Sequence, residues 1–197
     1  MATTINFRAA TQDDSSHLAI LADSATRRLV SHMWRGTAQV GQSWFEVGRE
    51  TIRANNDHFS HYTNWRVAEF DSRVAGGLNG YVLPKQVDAD ILADTPEVLR
   101  PLNELKAVAG GTWYISVASV FPEFRNRGVG DALLTKAETL ARAQEISRLT
   151  LMVGSFNEGA QRLYRRFGFA EWERRAFAPF EGSDPEGDWI LMYKDLI

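Results

Sequence analysis

The 197-residue sequence contains no cysteine. Disulfides, thiolate metal sites and acyl-cysteine intermediates are excluded together. An excess of one charge is also missing, with a formal net charge of −3 and a sequence pI of about 5.8. Such a balance argues against general affinity for nucleic acid or for an anionic membrane surface. No apolar run approaches the length needed to span a bilayer, and the opening Met1 to Arg8 lacks the charged and apolar regions of a signal peptide. The expectation is a cytoplasmic protein with no membrane and no nucleic-acid partner. Proline is sparse, at six residues, and no repeat or low-complexity tract interrupts the chain.

What remains is ordinary globular composition, 44% hydrophobic and 24% charged. One domain spanning 1–197 can bury a substantial core at this length. The most informative stretch is Val120-Phe-Pro-Glu-Phe-Arg125-Asn-Arg-Gly128-Val-Gly130. Ahead of it, residues 112–121 are rich in β-branched and aromatic side chains and read as a buried strand. Behind it, Val129, Leu133, Ala137, Leu140 and Ala141 keep the spacing of an amphipathic helix. Gly128 and Gly130 then stand at a helix start, where unpaired N–H groups and the helix dipole favour an anion. Arg125 and Arg127 add cations able to fork onto phosphate oxygens. The pattern is neither G-x-x-x-x-G-K-[ST] nor G-x-G-x-x-G, which argues against a P-loop NTPase and a dinucleotide fold.

The segment from Val120 to Leu134, with its R-x-x-G-x-G core, resembles the acetyl-CoA signature of the GCN5-related N-acetyltransferases. A second feature, Asn157 to Phe169, follows at the spacing of that family. The resemblance implies a mixed α/β fold, with a mostly antiparallel twisted sheet of about seven strands, flanked by helices and splayed at its central strands. It also implies acetyl-CoA as acyl donor and a primary amine of a small molecule or a peptide as acceptor. A monomer or a homodimer is left open. Noncatalytic acyl-CoA binding is the alternative function.

Along the chain, Ile5 to Ala9 is a strand. Thr11 opens a helix whose apolar residues run through Leu18, Leu21, Ala22, Ala25, Leu29 and Met33 to an end near Gly36. Residues 32–42 are read as a loop, and Ser43-Trp-Phe-Glu46 as a capping box that starts a helix through about Ala54. His58 and His61 lack the further ligands a metal needs, so no metal site is expected and both are read as surface histidines. Residues 65–70 and 74–83 form a hairpin around Asp71-Ser-Arg73, with Gly76, Gly77 and Gly80 marking a bulge or a close approach. Residues 84–111 are an insertion, read as an ordered lid with a helix after Thr95-Pro96-Glu97 that Arg100-Pro101 interrupts. Residues 148–153 form a strand. Asn157 caps the next helix, Gly168 ends it, and a hairpin of 169–178 with 188–194 closes the fold.

The resemblance assigns protonation of the departing sulfur to Tyr164. Cofactor contacts fall to Ala118, Val120, Arg125, Asn126, Arg127, Gly128, Val129, Gly130, Asn157, Ala160 and Tyr164. Ser119 and Val120 are the expected site of a bulge that frees backbone groups for the donor. The first two helices become one wall of the acceptor site, which brings in Met33, Trp34, Trp44 and Phe45, with Trp34 foremost. Tyr114 and Ser116 on the central strand are further acceptor contacts. That strand has no Asp or Glu, so Glu104 in the insertion is the leading carboxylate base, with Tyr114 or a water chain as rivals. The acidic residues Glu181, Asp184, Glu186 and Asp188 could draw a cationic amine.

Overall fold

The strands of the sheet follow the order β1-β2-β3-β4-β5-β7-β6. They are β1 (Ile5–Ala9), β2 (Trp65–Phe70), β3 (Arg73–Val82), β4 (Trp113–Val120), β5 (Arg148–Gly154), β6 (Ala170–Ala176) and β7 (Asp188–Asp195). The helices are α1 (Ser15–Ala25), α2 (Leu29–Thr37), α3 (Trp44–Ala54), α4 (Arg100–Val108), α5 (Val129–Arg142) and α6 (Glu158–Arg166). This computed structural model describes residues 4–86, 95–183 and 186–196. Part of the insertion, 87–94, and Asp184 of the acidic loop lie outside the described residues. The pairs β1/β2, β2/β3, β5/β7 and β6/β7 are antiparallel and β4/β5 is parallel. The mixed α/β class with a seven-stranded, mostly antiparallel sheet agrees with the sequence expectation.

By packing, the chain forms two compact units, Met1–Gly80 with Val117–Leu133, and Tyr81–Ser116 with Leu134–Ile197. In the first, Leu18, Leu21, Ile52, Trp65 and Val67 are almost fully excluded from water and form the core with Val117. Burying a side chain of this size contributes about 1.5–3 kcal/mol each before the entropy cost. Arg8 of β1 ties the edge of this unit together. Its guanidinium donates to both oxygens of the buried Asp14, at 2.7 and 2.8 Å, and to Glu69 of β2 at 2.7 Å.

The hairpin turns at Asp71 and Ser72, both with positive φ (51° and 61°), as a two-residue connection matched to strand twist requires. Opposite Ala68 and Glu69 the register shifts, because Ala75 is an extra residue in β3. Gly76 and Gly77 come directly after it, and both are close approaches. A Cβ on Gly77 would meet Leu21 and Trp65 at 3.1–3.3 Å.

Several expectations need correction. The long first helix is two helices, because Arg27 and Arg28 have positive φ and the side chains of Thr26 and Asp23 cap the second one. The Thr26 hydroxyl accepts from the Val30 N–H and the Asp23 carboxylate from the Ser31 N–H, so α2 starts anew and residues 32–37 are helical, not loop. Thr11 caps a short 3₁₀ turn, Gln12–Asp14, that leads into α1. His61 is buried, with Nδ1 2.8 Å from the Thr63 hydroxyl, because its segment folds over the Trp65 indole, which donates to the Ser60 carbonyl at 2.9 Å. In the insertion, Pro101 sits in the first turn of α4 and opens the helix after a 3₁₀ turn, since a first-turn proline has no intrahelical N–H bond to lose.

In the second unit, β5 lies between β4 and β7. Its register with β4 covers Trp113, Tyr114 and Ile115 alone, while β4 continues to Val120. Buried Thr112 and Thr150 share a hydroxyl hydrogen bond at 2.6 Å beside that register. The capping residues read from sequence act as expected. Ser43 accepts from the Glu46 N–H, and Glu46 accepts from the Ser43 N–H at 2.8 Å. Gly168, at φ 96°, closes α6 in a Schellman motif through Phe169 N–H to Tyr164 O and Gly168 N–H to Arg165 O.

Candidate functional site

In the first unit the turn from β4 into α5 is a cluster of exposed backbone. A 3₁₀ turn, Pro122–Phe124, buries Phe124 and leaves Arg125, Asn126, Arg127 and Gly128 exposed. Asn126 (φ 59°) and Gly128 (φ 79°) are both left-handed, an alternation that makes a concave nest of N–H groups. Gly128 O accepts a helical bond from the Ala132 N–H at 3.0 Å, which places Gly128 and the residues after it at the N-terminal turn of α5. The two arginines are held from behind. Arg125 Nε reaches the Val120 carbonyl at 3.4 Å, and the Arg127 guanidinium lies over the Phe70 ring at 5.3 Å. Held this way they flank the nest as cations, and the donor set fits a pyrophosphate.

The end of β4 is drawn against β3 in the same unit. An ideal Cβ on Gly76 would lie 2.5 Å from the Ser119 carbonyl oxygen and 3.3 Å from Val120 Cα. Phe121 N–H donates to the carbonyl of the bulged Ala75 at 2.9 Å. Ala118 and Val120 are half-buried, while Ser119 is buried.

Trp34, Trp44 and Phe45, expected as acceptor contacts, pack together in this unit. Trp34 is buried in the core, stacks on Trp44 at 6.2 Å and lies against Gly48, where a Cβ would come within 2.4 Å of the ring. Trp34 therefore takes part in packing the core of this unit. A tryptophan ring needs a glycine-sized gap to lie flat on a helix, and Gly48 supplies it.

In the second unit three tyrosines come together. The Tyr114 ring meets Tyr81 edge-on at 5.8 Å, and both Tyr81 and Tyr164 are near enough to act electrostatically on the Tyr114 phenol. Burial pushes Tyr164 and Tyr81 up to about 12. It raises Tyr114 further, with the charges of Tyr81 and Tyr164 adding to the effect. All three phenols are protonated at neutral pH and can donate hydrogen bonds. Tyr164 is half-buried as a residue, with its ring 5.9 Å from that of Phe169.

Asn157 caps α6, its side-chain oxygen accepting from the Ala160 N–H at 3.3 Å. Gln161 is buried beside it and donates to the carbonyls of Gly154 and Ser155 at 3.2 and 2.8 Å, which anchors the end of β5 to α6. Ser116 is half-buried on β4. Glu104 faces β6, with its carboxylate 3.0 Å from Arg175 Nε, and Glu173 completes the network at 3.1 Å.

Sequence reasoning missed Tyr81 and Lys106. Lys106 Nζ stands 5.7 Å from the centre of the Tyr114 ring, and burial lowers its pKa. The signal was available, since Lys106 is four residues beyond Leu102 and adjacent to Leu105 on the apolar side of a helix. Among the described residues no cluster of acidic and histidine side chains could hold a metal, and no helix is long and apolar enough to cross a membrane.

Known proteins share both the sequence pattern and the fold. Residues 26–169 match the family model described as the acetyltransferase (GNAT) family. A 54-residue stretch is 44% identical to an uncharacterized N-acetyltransferase of Methanocaldococcus jannaschii, covering 27% of this chain and 24% of that protein. A 120-residue stretch is 29% identical to the chloroplastic GCN5-related N-acetyltransferase 4 of Arabidopsis thaliana, covering 61% of this chain and 38% of that protein. The chain thus spans well under half the length of these curated relatives. Among solved structures, Arabidopsis thaliana NAA60 in complex with a bisubstrate analogue aligns with a TM-score of 0.62 at 18% identity, covering 98% of each chain, a likeness of fold. With the family model matched over most of its length, the chain belongs to the acetyltransferase (GNAT) family.

Proposed function

We propose that this protein is an N-acetyltransferase, transferring the acetyl group of acetyl-CoA to a primary amine of a small molecule by direct attack in a ternary complex. The observation that carries the reading is the nest at Asn126 and Gly128, opening a helix and flanked by two exposed arginines. Such a donor set suits the pyrophosphate of coenzyme A. Arg125 to Gly130 hold that group, while Ala118, Val120, Asn157 and Ala160 contact the remainder of the donor. When bound, the donor supplies a thioester carbonyl open to an amine nucleophile.

Tyr164 donates a hydrogen bond to the departing sulfur. Its phenol at about 12 is a weaker acid than an ordinary thiol near 8.5, so it stabilises developing charge without giving up its proton fully. Tyr114 and Ser116 line the acceptor side of β4. Glu104, paired with Arg175, holds α4 against β6, a positioning role in place of the base role suggested by its residue type.

A peptide amine is the second acceptor class. The alternative of a noncatalytic acyl-CoA-binding module draws on the absence of a carboxylate from β4. Acetyl-CoA-dependent thiol release across amines, amino acids, polyamines and peptides separates these readings, and a cysteine-free protein adds no background. Release with one amine class is expected; silence from protein that binds acetyl-CoA by titration would favour the binding module.

A further inference from the structure

We propose that Arg73 is the ligand for the 3′-phosphate of coenzyme A, an assignment that rests on the acetyl-CoA reading of the β4–α5 turn. Arg73 lies outside the R-x-x-G-x-G stretch and reaches it only through the fold. The two-residue turn at Asp71 and Ser72 starts β3 beside the end of β4. Two residues further on, the Ala75 carbonyl accepts from the Phe121 N–H at 2.9 Å, which sets Arg73 beside the Pro122–Phe124 turn. Its guanidinium lies 5.0 Å from the centre of the Phe124 ring. Phe124 packs against Phe70 at 5.7 Å, and Phe70 carries the Arg127 guanidinium at 5.3 Å. Every residue in this chain of contacts belongs to the first unit.

Both rings are buried while both arginines stay exposed, so the two cations rest on a rigid base at the surface. Stacking fixes the plane of a guanidinium and leaves its N–H fork available, which lowers the entropy lost when an anion is gripped. Among the described residues Arg73 donates no hydrogen bond to the protein, and its ion pair is with Glu123. At 3.9 Å between largely exposed groups, that pair is beyond hydrogen-bonding distance and worth little. Glu69, on the strand before the turn, is taken up by Arg8. Cations held on adjacent rings repel each other, and a polyanion bound across them removes that cost.

Coenzyme A offers two anionic groups a few bonds apart. Its pyrophosphate is a diester with a single charge on each phosphorus, whereas the 3′-phosphate is a monoester carrying about −1.5 to −2 at neutral pH. The nest, with Arg125 and Arg127 beside it, suits the pyrophosphate. Arg73 stands apart from the nest, on β3, and a dianionic monoester is the stronger partner for its fork. The consequence is selectivity for the donor: coenzyme A is held in preference to the form without its 3′-phosphate.

Dephospho-coenzyme A lacks the 3′-phosphate and is otherwise identical, so it isolates this contact. Calorimetry of the full chain with coenzyme A and with dephospho-coenzyme A gives the ratio of the two Kd values. Wild-type protein should favour coenzyme A by about tenfold or more, the usual worth of a hydrogen bond between charged groups. Arg73→Gln should lose that factor for coenzyme A and bind dephospho-coenzyme A as the wild type does, which brings the ratio near one. The retained affinity for dephospho-coenzyme A also shows that the variant is folded. Equal affinity of the wild type for both ligands would overturn the assignment while leaving the acetyl-CoA reading intact. A variant that keeps the wild-type ratio would do the same, whether it binds both ligands normally or weakens both alike, since Arg73 would then act through its general field. Wild-type protein that binds neither ligand would overturn the acetyl-CoA reading and this assignment with it.

Discussion

The carbonyl oxygen of Ser119 occupies the place where a side chain on Gly76 would begin, 2.5 Å from an ideal Cβ. Gly76 follows the bulged Ala75, whose own carbonyl takes the Phe121 N–H, so two consecutive residues of β3 fix the path of β4 just before the nest. This contact is backbone against Cβ, which has no flexible end to yield.

Replacing Gly76 with alanine should therefore move β4 or unfold it. A loss of about 1–3 kcal/mol is expected. For a chain of this size that is roughly 2–4 °C in Tm for each kcal/mol, read by thermal denaturation. An unchanged Tm would show that the strands separate at no cost.

Gly128 tests the nest by conformation alone, since a Cβ there meets no atom within 4 Å but the backbone is left-handed at φ 79°. Gly128→Val should weaken acetyl-CoA by about tenfold or more, because a left-handed L-residue costs about 1–2 kcal/mol. Asparagine tolerates that conformation, so Gly128→Asn should bind with nearly normal Kd. Equal Kd for the valine variant, by calorimetry, would count against the nest.

Tyr164→Phe should lower turnover by about 10²-fold with little change in acetyl-CoA Kd. Because the phenol is pushed up to about 12, any alkaline limb below about pH 10 belongs to another group and should persist in the variant. Normal turnover would remove Tyr164 from the reaction.

Acid stability should depend on Asp14. Burial favours its neutral form, but hydrogen bonds from Arg8 and from the Thr11 N–H and hydroxyl outweigh burial and lower its pKa. A carboxylate lowered in the folded state stabilises above its unfolded value near 3.9, and that contribution is lost as pH falls through the folded value. Asp14→Asn should cost about 1.5–3 kcal/mol at neutral pH, discounted because Arg8 is partly exposed, and should flatten the stability curve below about pH 4. Parallel acid transitions in the two proteins would refute this.

Glu104→Gln should leave the pH dependence of kcat/KM in place and cost at most about 1 kcal/mol, the usual worth of a partly exposed ion pair. Loss of a limb of the profile would return the base role to the carboxylate.

Much of the fold was legible because its signals are local. The Ser43–Glu46 box, the Asn157 cap, the Gly168 closure and the Asp71–Ser72 turn each act within a few residues, and each occurs as its sequence predicts. The break between α1 and α2 was hidden for the same reason. Leu29 and Met33 stay in phase with α1, and periodicity cannot register that Asp23 and Thr26 turn their oxygens to a second helix. His61 was misread because composition assigns a residue type to core or surface only on average, while the packing of its segment on Trp65 decides this case.

The sequence by itself determined the family and the left-handed turn from β4 into α5, since both depend on glycines, arginines and caps at short fixed spacings. Only the tertiary structure decided which polar groups lie near one another. Lys106, Tyr114 and Tyr164 stand on three different elements, and the burial that perturbs them comes from packing between residues far apart in the chain. Desolvation is a property of that packed neighbourhood, and no single segment of the sequence contains it.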